Sequence, residues 1–293
     1  MRTNNKTLAR DPSGEGTAAE LRNQVCLIAG ASGAIGRAVA ERFRREGAKL
    51  ALTYHSRKIE SFIAGTARAP GKILSLALDV REWGDVQAAV GRVMEEFGAI
   101  HVLVNCTGVL GPIGPTDEVP AEEWVQTIEA NLIGCFYLVR AVLPRMKEQG
   151  GGKIINFSGG GAANARPFFT AYSAAKAAVV RFTESLAEEL RETNIQVNAI
   201  APGPVRSQMW NQMRAAGKAG GPHLLEELNK MDQTGGVPAD RAAALAVFLA
   251  SAHSNGLSGR LISCVHDDWE HLEPRIPAIM KSEAGTLRRV PLD

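Results

Sequence analysis

The sequence predicts a single doubly wound α/β domain, a parallel sheet covered by helices on both faces, and three features of the chain predict it. Short β-branched or aliphatic runs alternate with longer segments of helical period. The first of these runs feeds straight into a glycine-rich turn and then a helix. Neither a Pro/Gly linker nor a short repeat divides the 293 residues, so a hydrophobic content of 45% is available to one large core.

The strand candidates are 25–29, 50–54, 73–78, 102–104, 154–157, 196–200 and 261–265. The helix candidates 36–46, 85–97, 121–149, 172–191 and 239–252 carry apolar residues at i, i+3, i+4 spacing. Each crossover helix must pack back on the sheet, so this alternation produces parallel strands buried on both faces. Seven such strands make one Rossmann-type, doubly wound sheet spanning residues 23–265. Residues 1–22 mix charged and small polar side chains and read as a flexible tail without the apolar core of a secretory signal. The stretch 215–222, AAGKAGGP, reads as a mobile loop. Residues 266–293 form a C-terminal extension whose HDDWEHLEPR start is too polar for core, and it is expected to pack on the domain or on a neighbouring subunit.

Net charge is only +2, from 33 basic and 31 acidic residues without a long basic run, which leaves no electrostatic footprint for nucleic acid or a membrane surface. A small-molecule partner is expected instead. Apolar stretches such as 242–250 fall well short of the roughly 18 residues that span a bilayer, so no membrane crossing is expected. Cys26, Cys106, Cys135 and Cys264 are widely spaced in apolar segments, with no C-x-x-C pair or nearby His cluster. No metal site is expected, and the thiols read as buried in a reducing, cytoplasmic compartment.

The first strand runs into Ala29-Gly30-Ala31-Ser32-Gly33-Ala34-Ile35-Gly36. Small residues let the backbone approach a pyrophosphate, and the following helix N-terminus offers free N–H groups and positive dipole. An ordinary strand-to-helix turn is the alternative, disfavoured by the placement between strand one and a long helix. Here the chain resembles the short-chain dehydrogenase/reductase family, whose T-G-x-x-x-G-x-G pattern it follows with Ala29 for Thr and Ala34 for the middle Gly. The resemblance implies cofactor contacts from Gly30, Ser32, Gly33, Ile35 and Gly36, from Asp79-Val80 at the end of strand three, and from Asn105 and Gly108. Asn105-Cys106-Thr107-Gly108 is similar to the family's N-N-A-G. At the end of strand two, dinucleotide folds selecting NAD place an acid, whereas a basic group accommodates the 2′-phosphate of NADP. Tyr54 stands there, followed by His55, Ser56, Arg57 and Lys58, so NADP(H) is the preferred cofactor, with NAD(H) possible. Plain solvation of Arg57 and Lys58 at a helix start is the alternative.

Tyr172-Ser173-Ala174-Ala175-Lys176 opens a long helix and matches the family's Y-x-x-x-K. Residues four apart share a helix face, so the Lys176 ammonium lies near the Tyr172 phenol and is expected to lower its pKa from about 10. The resemblance makes Tyr172 the proton donor and Asn131 a relay toward Lys176, and it implies nicotinamide contacts from Pro202, Gly203, Val205 and Ser207. It also implies a serine thirteen residues before the tyrosine, where this chain has Gly159. Ser158 lies one residue early, and strand alternation points it away from the site unless the chain bulges at Gly159-Gly160-Gly161. Gly159→Ser is accordingly expected to raise turnover. Residues 208–235 are the expected substrate lid, with Met209, Trp210 and Met213 as lining or as ordinary packing.

The resemblance implies hydride transfer between NADPH and a small carbonyl or alcohol substrate, with a layout similar to 3-oxoacyl reductases. A regulatory or scaffold protein that keeps the fold and binds nucleotide is a rival motivated by Gly159. A non-redox lyase or isomerase using the same Tyr-Lys pair is another. The helices holding Asn131 and Tyr172 carry enough apolar residues for a second surface, and relatives pair through such helices, so a homodimer or homotetramer is expected.

Overall fold

The structure is a computed structural model and describes residues 19–56, 59 and 72–292. Seven strands form one sheet: β1 (Val25–Ala29), β2 (Lys49–Tyr54), β3 (Ile73–Ala77), β4 (Val102–Asn105), β5 (Gly152–Phe157), β6 (Ile195–Ala201) and β7 (Leu261–Ser263). Their order is β3-β2-β1-β4-β5-β6-β7, with every neighbouring pair parallel. The described helices are α1 (Ala34–Arg45), α2 (Trp83–Phe97), α3 (Ala121–Ile128), α4 (Gly134–Glu148), α5 (Thr170–Glu189), α6 (Gln208–Ala216), α7 (Gly221–Thr234), α8 (Ala239–Ala250) and a short α9 (Ile276–Ile279).

Period-two alternation divides the interior into two layers. On one face Cys26, Ile28, Leu50, Leu52, Val104 and Phe157 meet Val39 and Phe43 of α1 and Leu245 and Phe248 of α8. On the other, Leu27, Leu103 and Ile154 meet α2, α4 and α5 through Val86, Val93, Leu138, Val142 and Leu186. The strand order reverses at β1, which pairs with both β2 and β4, so the chain diverges to either side and opens a crevice at the carboxyl ends of β1 and β4. Ala29, Asn105, Asn156 and Ala199 lie in register across β1, β4, β5 and β6, which sets the floor of that crevice.

The chain termini differ from expectation. Residues 1–18 of the expected tail lie outside the described residues, but Leu21 is fully buried in the core and its N–H donates to Glu46 O at 3.0 Å. One leucine flanked by polar residues carries no periodic signal, yet it seals the end of the α1 layer. The C-terminal extension, whose start looked too polar for core, sends Trp269, Leu272 and Ile276 into that same layer. Its polar residues face outward, and Gly285 O accepts the N–H of Leu261 on the sheet's edge strand at 2.7 Å. Stretch 215–222 is not a loop: a 3₁₀ turn, Gly217–Gly220, joins α6 to α7, and Pro222 stands in the first turn of α7, where its fixed φ and missing N–H are harmless.

The helical segment Ala121–Glu148 is, by length and composition alone, apolar enough to cross a membrane. Its apolar residues Leu138, Val139, Val142 and Met146 are spent on the core instead. Trp269 is 4% exposed, and Trp269→Ala should lower stability by about 3–5 kcal/mol, read as a lower urea midpoint at unchanged m-value.

Candidate active site

At the end of β1 the glycine turn is dictated by space. Gly30 has φ +80°, and a Cβ on it would stand 3.0 Å from the backbone of Cys106 and Thr107. A Cβ on Gly36 would lie 2.3 Å from Gly30 O, so the turn packs directly on the first coil of α1. Gly33 caps α1 with extended backbone and no side-chain acceptor, and Ser32 and Ile35 flank it half-buried. The first-turn N–H groups of α1 have no intrahelical acceptor, so this side-chain-free cradle fits the pyrophosphate of a dinucleotide.

Asp79 and Val80 follow β3. The Asp79 carboxylate accepts from Arg81 Nε at 3.0 Å and Nη2 at 2.5 Å, and His55 Nε2 lies 3.4 Å away. The hydrogen bond from Arg81 holds the Asp79 carboxyl down at about 2. Sequence reasoning missed Arg81, whose backbone N–H also closes a tight turn on Asp79 Oδ1 at 3.0 Å. His55 and Ser56 are exposed beside Tyr54, whereas Arg57 and Lys58 lie outside the described residues. Val80 packs where a Cβ on Gly134 would come within 2.6 Å.

Asn105, buried at the end of β4, accepts from Thr107 N at 3.2 Å and Thr107 Oγ1 at 2.5 Å, which turns the chain into Gly108. Asn131 was expected inside one continuous helix. It sits instead in a π-helical turn, Glu129–Ile133, between α3 and α4. Its Nδ2 donates to Val109 O and Thr127 O, both at 2.8 Å, while Oδ1 is buried without a protein partner. A Cβ on Gly108 would stand 2.5 Å from Asn131 Oδ1 and 3.3 Å from Lys176 Nζ, so the two side chains converge on that glycine. A widened turn aims the amide there, a use to which π turns are often put.

Tyr172 and Lys176 lie one turn apart on α5. Lys176 Nζ donates to Phe157 O at 3.0 Å and lies 5.9 Å from the Tyr172 ring centroid. Beneath them Asn156 donates to Thr183 Oγ1 at 3.0 Å and accepts from the Cys135 thiol at 3.3 Å, a buried polar contact that sequence reasoning missed. Burial pushes Lys176 down to about 8 and the Tyr172 phenol up to about 12. The expected lowering of Tyr172 by Lys176 is not found in this arrangement: desolvation raises the phenol, and the charge that opposes the rise is Arg166. The phenol stays protonated, the form in which it can donate. Burial likewise raises Cys135 to about 11 and Cys264 to about 12, which leaves both as neutral thiols.

Position 159, not 158, faces the phenol: a Cβ there would lie 2.3 Å from Tyr172 Oη. Ser158 Oγ is buried without a partner, and among the described residues no hydrogen bond joins it to Tyr172, so Ser158 is not brought into the Tyr-Lys arrangement. No bulge turns it inward, since Ser158 N–H continues the ladder to Ile200 O at 2.8 Å. Beyond β6, Pro202 is buried, Gly203 has φ +73°, and Val205 and Ser207 lead into α6, with Val237 N–H donating to Pro204 O at 2.8 Å to staple the segment. Trp210 and Met213 of α6 join Leu224, Leu228 and Met231 of α7 in an apolar cluster over Tyr172, with Met209 packed against it, and this leaves the tyrosine 8% exposed.

The family model for short chain dehydrogenases matches residues 24–218. The chain is 36% identical over 248 residues to the oxidoreductase UcpA of Salmonella typhimurium, covering 82% of this chain and 92% of that protein. Among solved structures, levodione reductase superposes with a TM-score of 0.76 at 30% identity, covering 83% of this chain and 96% of that one. An actinorhodin polyketide ketoreductase solved with NADPH gives 0.76 at 27% identity, over 82% and 95% of the two chains. This chain belongs to the short-chain dehydrogenase family.

The steric fact at Gly159 reverses the expectation for restoring a serine. Gly159→Ser and Gly159→Ala should both displace the phenol, and a displacement of about 1 Å lowers turnover on the order of 100-fold. Higher turnover for the serine variant than for the unmodified protein would overturn this. Lys176 titrates at about 8 when folded and about 10.4 when unfolded, so between those values the unfolded chain binds more protons and stability rises with pH. Lys176→Met should be the more stable protein below about pH 8 and lose that advantage by about pH 10, as read from paired melting curves.

Proposed function

We propose that the protein is an NADP(H)-dependent oxidoreductase interconverting a small ketone or aldehyde and its alcohol. The observation that carries this reading is the convergence of the Lys176 ammonium and the unpartnered Asn131 Oδ1 beside Gly108, with the Tyr172 ring centroid 5.9 Å from that ammonium, at the carboxyl edge of the sheet. The nicotinamide cofactor supplies or accepts the hydride when bound. Tyr172 donates its proton to the carbonyl oxygen as charge develops there, Lys176 stabilises the phenolate left behind, and Asn131 Oδ1 offers a buried acceptor for proton return toward Lys176. The apolar lid cluster keeps bulk water from the phenol. With the cofactor bound, Gly30, Ser32, Gly33, Ile35 and Gly36 would hold the pyrophosphate, Asp79 and Val80 the adenine, Lys176 the ribose, and Pro202, Gly203, Val205 and Ser207 the nicotinamide, with Asn105 and Gly108 as further contacts.

For NADP over NAD the support is Tyr54 in place of an acid, with His55, Ser56 and Arg57 following it. NADPH should bind about tenfold or more tightly than NADH, the scale of one hydrogen bond to a charged group, and Arg57→Ala should narrow the gap in fluorescence titrations. In a carbonyl panel followed by NADPH oxidation, Tyr172→Phe should abolish turnover.

A second reading is favoured by Gly159 and by a phenol at about 12: a nucleotide-binding protein with impaired turnover. Losing one positioned donor to the substrate oxygen costs about 100- to 1000-fold, so the second reading predicts NADPH binding without oxidation across the panel. Product formation without net cofactor oxidation would instead mark a lyase or isomerase.

Assembly as a homodimer or homotetramer is part of the same proposal. Val125 and Phe136 are 51% and 39% exposed on α3 and α4, and the Phe136 ring is tilted against Tyr137 and edge-on to Phe182 of α5. Light scattering at micromolar concentration should give a multiple of 31.3 kDa, and Phe136→Glu should shift it toward the monomer.

A further inference from the structure

A charged group stands in the wall of the site that the proposed chemistry does not use. Arg166 belongs to the connection between β5 and α5, and its side chain is 8% exposed. Its guanidinium lies 4.0 Å from the centroid of the Phe169 ring. Nη2 donates to Glu227 Oε2 of α7 at 2.6 Å and contacts Met213 Sδ of α6 at 3.1 Å. Both contacts run from Nη2, so among the described residues one of the three nitrogens of a five-donor fork is engaged.

The neighbouring glycines make those donors approachable. Gly160 is exposed, and neither its φ nor its space demands glycine: a Cβ there would lie 3.4 Å from Arg166 Nη1, an ordinary contact. A larger side chain at 160 would roof the guanidinium. Gly159, one residue earlier, faces the Tyr172 hydroxyl, and the charges of Arg166 and Glu227 both act on that phenol. Arg166 is thus within electrostatic reach of the proposed reacting oxygen, in a wall otherwise built from Leu110, Trp210, Met213 and Leu224.

The counter-ion comes from the lid rather than from the scaffold. Glu227 sits on α7, which packs with α6 over Tyr172, so a substrate that takes the space beside the phenol can displace that carboxylate from Arg166. A buried guanidinium stripped of its carboxylate is costly. A substrate that brings its own carboxylate offsets the cost; a neutral one does not. Resting on the oxidoreductase reading above, we infer that Arg166 is the specificity residue of this site and anchors the carboxylate of an oxo acid or hydroxy acid, with Glu227 as the counter-ion in the closed lid.

The test compares oxo acids with their uncharged methyl esters on the full-length protein: pyruvate, acetoacetate and levulinate, each against its ester. For the pair turned over best, the acid should have the lower KM, and Arg166→Met should raise the acid-to-ester KM ratio at least about tenfold, the size of a lost charge-assisted hydrogen bond. Because Arg166→Met leaves Glu227 without its partner, the double variant Arg166→Met/Glu227→Leu restores an apolar contact and should show the same loss of acid preference. Binding of each acid to the protein with NADPH is measured in parallel by calorimetry. Acid binding that is weakened in both variants supports the anchor even if no compound is reduced, in which case the oxidoreductase reading alone fails. Esters preferred by the unmodified protein, or an acid preference and acid binding unchanged in both variants, would overturn the inference.

Discussion

The ammonium of Lys176 is held by the carbonyl of Phe157 at the end of β5, and among the described residues it forms no ion pair. A buried ammonium with one neutral acceptor is costly, which is why Lys176 titrates well below a solvated lysine. The fold tolerates the cost because α5 is a 20-residue helix seated by Val179, Val180 and Leu186 and tied to β5 through Thr183 and Asn156. Once Lys176 is fixed, its neighbours follow. Position 108 has no room for a Cβ, the Asn131 amide is presented from a widened turn, and Tyr172 lies one coil up against Gly159.

The glycines around the site answer different demands. Gly30 needs both its positive φ and the absence of a Cβ, since the turn runs against the backbone after β4. Gly108 and Gly159 have ordinary backbone but stand against side-chain atoms that perform chemistry in the proposed mechanism, Asn131 Oδ1 and Tyr172 Oη. Gly159 therefore differs from a simple loss of a serine. The Tyr172 hydroxyl stands in the space a Cβ at 159 would take, so a side chain there requires the phenol to shift.

The seven-stranded parallel sheet and the placement of Tyr172 and Lys176 one helix turn apart were legible because they rest on local signals: β-branched runs, a glycine turn between strand and helix, and a four-residue spacing that helix geometry converts to proximity. What escaped depends on residues far apart in sequence. Arg166 and Glu227 are 61 residues apart, and neither stands in a motif. Leu21 and Trp269 enter the core from polar surroundings that hide them from any periodicity. The π turn at Asn131 needs one residue more than a helix turn, and the apolar spacing runs through it unbroken. The sign of the Tyr172 shift was misjudged because proximity to a cation could be counted from spacing, whereas burial by α6 and α7 could not.

That burial links the lid to acid strength. Desolvation raises the Tyr172 phenol most, Arg166 opposes the rise, and Glu227 adds to it. Glu227 of α7 and Arg166 of the β5–α5 connection, themselves paired, act on the phenol with opposite sign, and the larger effect is its burial. A carboxylate bound at Arg166 in place of Glu227 would raise the phenol as Glu227 does. The same ion pair that ties α7 to the β5–α5 connection therefore also biases the acid at the centre of the site.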